Sequence, residues 1–198
     1  EQSEQAVSEF YKALTSGSIK DSRKASSFQS LSEEQIARAT QKALADCLAD
    51  GRMVRVSKII ETMANKENLL ESQKIATAAK TWFVKALQKG KVEEIEQMQA
   101  LKLLDQRVLQ SDEIVEAAKK GLVSALTSAD GYSARVILDL NVLGSEYLRS
   151  PEIVNQAKSM LLAKLWAGAG QDAHDFIQLN LIPQDELSSA TVVQAAKA

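Results

Sequence analysis

The chain has little of what catalytic or metal sites are usually assembled from. Its 198 residues include one cysteine, Cys47, and one histidine, His174. A single thiol excludes an internal disulfide framework, and one Cys with one His cannot make a structural zinc site of Cys and His ligands. Only Pro151 and Pro183 interrupt a composition rich in Ala, Leu, Lys, Glu and Gln, which favours helix. Acidic and basic side chains nearly cancel to a formal charge of −2, so there is no global electrostatic case for nucleic acid or an anionic membrane surface. A local patch is still allowed. No run approaches the roughly 18 consecutive apolar residues of a membrane helix, and no basic segment leading into an apolar one opens the chain. The expectation is a soluble protein without membrane insertion, the cytoplasm being favoured and oxidising compartments still allowed.

What is present is a period. Ile36, Ile75, Ile114, Ile153 and Val192 recur every 39 residues without insertion. Four residues past this anchor stands a small side chain (Thr40, Ala79, Ala118, Ala157, Ala196), and eight past it Leu44, Phe83, Leu122 or Leu161. Twelve past it comes Leu48, Leu87, Leu126 or Leu165, and fifteen past it Gly51, Gly90, Ala129 or Gly168. A fixed period of this size means stacked units, each able to bury its apolar face only against its neighbours.

Each unit reads as two helices. The first carries apolar residues at offsets 0, +1, +4, +8 and +12, an amphipathic pattern with a wide buried face. Ser72, Ser111, Ser150 and Ser189, three before the anchor, are predicted N-caps whose hydroxyl accepts from an orphan backbone N–H, with Pro151 and Glu152 reinforcing one of them. Ser32 lies one place off that register, at capping-box spacing from Gln35. The glycines, and the Ala129-Asp130-Gly131 turn in the third copy, predict a left-handed stop. A looser second helix then runs to Leu70, Leu109, Leu148 or Leu187. Such short connections imply antiparallel pairs. Units 32–70, 71–109, 110–148 and 149–187 follow an atypical N-terminal cap over 1–31, in which Gly17 aligns with Gly51, and precede a further helix or C-terminal cap over 188–198. Starting at Glu1 without methionine and stopping within a fifth copy suggests a piece of a larger protein.

A helical hairpin repeated every 39 residues resembles the α-solenoid superclass that includes HEAT, armadillo and tetratricopeptide arrays. The period lies nearest HEAT, and the Trp, Leu-Gly and Tyr pattern of tetratricopeptide repeats is missing. The fold expected is all-α, a right-handed α-solenoid of antiparallel helix pairs. The resemblance implies a binding surface, commonly lined by one helix of each pair.

The function expected is a non-enzymatic scaffold for a protein or peptide, with no cofactor and no metal. The variable second helices offer Arg55, Lys58, Glu94, Gln97, Arg135, Asp139, Asp175 and Gln178 as contact residues, and Trp166 as an aromatic anchor. The alternative is nucleic-acid binding through a lysine ladder at offset +5, Lys80, Lys119, Lys158 and Lys197, with Gln41 in the first copy and Lys42 and Lys120 one place on. Such a ladder would meet phosphates, although lysine equally suits the solvated back of a helix, and its uniformity does not suit a base-reading code. Asp172, His174 and Asp175 do not share one helix face and lack a second histidine, so they make a poor metal or acid-base set. Cys47 aligns with Ala86 and Ala125 and is expected to be a buried, inert thiol. Trp82 is expected to pack between units, the Gly168-Ala169-Gly170 segment to be a turn without phosphate-loop chemistry, and the C-terminal end to be a possible surface for self-association.

Overall fold

In a computed structural model the residues described are 2–16, 28, 30–62 and 72–197, without the side chains of 2 and 62. Gly17, residues 20–27, Met63, Leu70 and Ala198, on which parts of the repeat alignment rest, lie outside them. The described residues are helical and contain no strand. The helices are α1 (Gln2–Thr15), α2 (Glu33–Ala49), α3 (Met53–Thr62), α4 (Gln73–Lys89), α5 (Val92–Ala100), α6 (Gln106–Leu109), α7 (Asp112–Thr127), α8 (Gly131–Asp139), α9 (Ser145–Leu148), α10 (Pro151–Trp166), α11 (Gly170–Ile177), α12 (Gln184–Leu187) and α13 (Ala190–Lys197). None is long and apolar enough to cross a membrane.

The period is visible in the backbone. A long helix (α2, α4, α7, α10) ends in a residue of positive φ: Gly51 at 69°, Gly90 at 64°, Ala129 at 61° and Gly168 at 70°. The same two hydrogen bonds close all four ends. In the third copy the Ala129 N–H donates to the Leu126 carbonyl at 3.3 Å and the Asp130 N–H to the Ala125 carbonyl at 2.9 Å. This is the Schellman arrangement, which satisfies carbonyls that a helix end leaves orphaned.

The second half of the unit departs from expectation. The second helix is short and stops well before the shared leucine, because a second left-handed residue follows it: Lys102, Asn141 and Asn180, at φ of 53°, 53° and 55°. Two apolar residues then turn inward, of which Leu103, Leu143, Leu181 and Ile182 are buried. A one-turn helix (α6, α9, α12) follows, ending at Leu109, Leu148 and Leu187. Over 71–187 each unit is therefore a long helix, a short helix and a single turn, where two helices were expected; the end of the 32–70 unit lies outside the described residues.

The buried face also differs in detail. In α7 it comprises Ile114, Ala117, Ala118, Gly121, Leu122, Ala125 and Leu126. These fall at offsets 0, +3, +4, +7, +8, +11 and +12, two adjacent i, i+4 rows. The +1 row, assigned to the core from sequence, is half-buried at Val115 and Val154 and exposed at Ala37 and Val193. Gly121 sits in the second row because a Cβ there would lie 2.7 Å from the Leu87 carbonyl oxygen.

The serines also form their junctions differently from expectation. Ser111 and Ser150 have extended N-cap backbones but make no side-chain cap bond. Each serine N–H closes the preceding one-turn helix, as Ser111 donates to Val108 at 3.1 Å, while its carbonyl accepts from the first turn of the long helix. The backbone makes the junction, and the hydroxyls of Ser111, Ser150 and Ser189 are buried without a hydrogen-bond partner. Ser32 does form the full capping box with Gln35.

The chain divides into two compact units, Glu1–Phe83 with Glu96–Asp105, and Val84–Ile95 with Gln106–Ala198. In the first, α2 packs on α1 and α3. Tyr11 donates to the Asp46 carboxylate at 2.5 Å, and Phe10 meets Phe28 edge-on at 5.3 Å. Trp82 lies over the Gly51 turn. In the second, α7 packs on α8 and α10, α10 on α11 and α13, and α8 on α11.

Candidate functional site

The short helices present two kinds of polar position. Arg55, Glu94 and Asp172 are equivalent, and each has a partner within the chain, although the Asp172 side chain stays 63% exposed. Arg55 donates to the Leu14 and Ala13 carbonyls at 2.5 and 2.7 Å, and with Arg52 on the Thr15 carbonyl at 2.9 Å it caps the C-terminus of α1, where the helix dipole favours cations. Glu94 pairs with Lys91 at 2.7 Å. Arg55 and Glu94 are half-buried, whereas Lys58, Gln97, Arg135, Asp139, Asp175 and Gln178 are exposed.

Three of these six come together. Arg135 from α8, with Asp175 and Gln178 from α11, line a groove of about 470 Å³ whose other walls are Ala129, Asp130, Gly131, Lys164, Asp172 and Phe176. The sequence reading missed Lys164 and Asp130, yet both carried a signal. Lys164 stands eleven past its anchor, where the other units have Cys47, Ala86 and Ala125, so an ammonium group occupies a row that otherwise takes small apolar side chains. Asp130 occupies the site of Arg52, Lys91 and Ala169.

The groove floor is an ion network. Lys164, with 15% of its side chain exposed, meets Asp172 at 3.2 Å. Asp130 caps α8, accepting from the Ser133 N–H at 2.9 Å and from the Ser133 hydroxyl. Burial alone would raise the Asp130 carboxyl, but the hydrogen bonds from Ser133 and the Tyr132 N–H, with the Lys164 charge, outweigh it and hold the group below its ordinary value.

The lysine row has a different setting. Lys119 pairs with Glu116 at 2.6 Å and lies 5.2 Å from the centre of the Tyr147 ring, while Lys158 pairs with Glu186. Tyr147 and Glu186 are equivalent residues of α9 and α12, so the row pins the one-turn helices to the long ones. Lys80 is half-buried and Lys197 exposed. Lys42 lies over the Tyr11 ring at 4.9 Å.

Among the described residues no group of three His, Cys, Asp or Glu could hold a metal ion. Cys47 is fully buried, and burial pushes its thiol up. Trp166 is 56% exposed and is not a groove residue. Comparison with family models, curated proteins and solved structures finds no match to this chain.

Proposed function

We propose that this chain is a non-enzymatic interaction module, a right-handed α-solenoid of antiparallel helical units that binds a protein or peptide through its short helices. The observation that carries this reading is the groove, in which Arg135, Asp175 and Gln178 from two successive units converge. Equivalent backbones present different chemistry there, which is how a repeat scaffold acquires specificity without changing its fold. The recurrence of the same left-handed stops every 39 residues supports the solenoid. The internal partners of Lys119 and Lys158 weaken the nucleic-acid alternative, since these cations are already half-covered and paired.

The test places a photoactivatable residue at Gln97 or Gln178 on the short helices, and at Lys120 or Lys197 on the long-helix side. Discrete protease-sensitive adducts at the first two positions, suppressed by Arg135→Glu for Gln178, are expected. Nuclease-sensitive adducts confined to Lys120 and Lys197 would replace this reading with the nucleic-acid one.

A further inference from the structure

The charges lining the groove differ in how far they are already engaged. Lys164 and Asp130 are engaged in the floor: the ammonium lies against Asp172, and Asp130 is bonded twice to Ser133. The rim is different. The Arg135 side chain is exposed and makes no hydrogen bond or ion pair among the described residues, so its guanidinium fork is open to a ligand. On the facing helix, Asp175 holds only the Gln171 amide among the described residues, at 2.9 Å, and the Asp172 side chain is 63% exposed despite its bond to Lys164. Gln178 is exposed and offers both a donor and an acceptor.

One wall is thus cationic and the other anionic. The lining sums to three aspartates against one lysine and one arginine, a net charge of −1, which does not suit phosphates or other polyanions. The apolar lining is small, since Phe176 is 98% covered and the rest is the Ala129 and Gly131 turn, so the groove does not suit a greasy ligand either. A polypeptide carries both signs on neighbouring side chains and a main chain that an amide can bond.

We propose that the groove holds an extended peptide of mixed charge, with one carboxylate on Arg135 and one ammonium or guanidinium on Asp172 and Asp175. This rests on the interaction-module reading above. Gln178 takes a main-chain amide of the bound segment. The half-buried Lys164 ammonium lies 3.2 Å from Asp172, so this carboxylate of the anionic wall is already placed when the peptide enters.

The experiment uses the full chain and fluorescein-labelled peptides carrying one Glu and one Lys separated by one to four glycines, read by anisotropy at low salt. Saturable binding is expected for at least one spacing, with affinity falling at least fivefold when either the peptide Glu or the peptide Lys becomes Gln. Arg135→Gln should abolish the dependence on the peptide Glu and leave that on the Lys, and Asp175→Asn, with Asp172 still in place, should reduce the dependence on the Lys and leave that on the Glu. Circular dichroism checks that both exposed variants stay folded. No saturation at any spacing, or equal losses for both variants against both peptides, overturns the proposal, as does displacement by polyuridylate. If the peptides fail while the cross-links at Gln97 persist, the occupant is wrong and the module stands. If both fail, the module reading falls as well.

Discussion

At the scale of single residues, the left-handed stops show how differently one backbone conformation can be tolerated. Gly90 has open space around its missing Cβ, so Gly90→Ala meets only the left-handed penalty and should cost about 1 kcal/mol. A Cβ on Gly51 would fall inside the Trp82 ring, and Gly51→Ala should cost about 3 kcal/mol, since the ring must move as well. Ala129 already bears the strain at φ 61°, so Ala129→Gly should raise Tm by about 2 °C once the greater freedom of glycine in the unfolded chain is deducted. Thermal melts of the three variants check this order. Asp130 supplies a pH signature. Because its folded pKa is depressed, its contribution is present above the unfolded value near 3.8 and fades as pH falls through the lowered native value. Urea midpoints from pH 7 to 2 should show Asp130→Ala losing about 1 kcal/mol at neutral pH, with less difference from the parent in acid. Asp130→Asn keeps a cap and should flatten that dependence.

At the scale of elements, the one-turn helices were the part least legible in the sequence. Periodicity reveals a helix when an apolar stripe persists over several turns, and four residues cannot show a stripe. The long helices, with their glycine stops and offsets of 0, +4, +8 and +12, were readable for that reason. Asn141 and Asn180 were available as signals, since asparagine tolerates the left-handed region, but Lys102 at the equivalent place gives no such hint. The groove is half legible: variability in the second helices points to Arg135, Asp175 and Gln178, while Lys164 lies on a long helix, in a row at offset +11 that is small and apolar in the other units. The pinning of α9 by Lys119 and Tyr147 can be measured directly. A double-mutant cycle with Lys119→Met and Tyr147→Leu should give a coupling of about 0.5–1 kcal/mol, and Lys158→Met with Glu186→Gln about 0.5 kcal/mol, the range for partly exposed pairs. Zero coupling in both would mean that the one-turn helices are held by their leucines alone.

At the scale of the molecule, the period makes a prediction about length. Removing residues 131–169, one full repeat, joins Asp130 to Gly170 and leaves a long helix followed by an equivalent short one. That chain should remain helical and melt cooperatively at lower stability, because each unit draws on its neighbours. Removing 131–165 instead places Trp166 after the α7 turn and breaks the register; it should lose cooperativity, as judged by circular dichroism in urea. Ala129 links these scales, for it stands where three other turns have glycine and it also walls the groove. Alanine has fewer conformations to explore than glycine, so this wall is ordered before any ligand arrives and loses less entropy on binding. Relaxing the turn with glycine therefore firms the fold and loosens the grip, and at this one residue stability and affinity move in opposite directions.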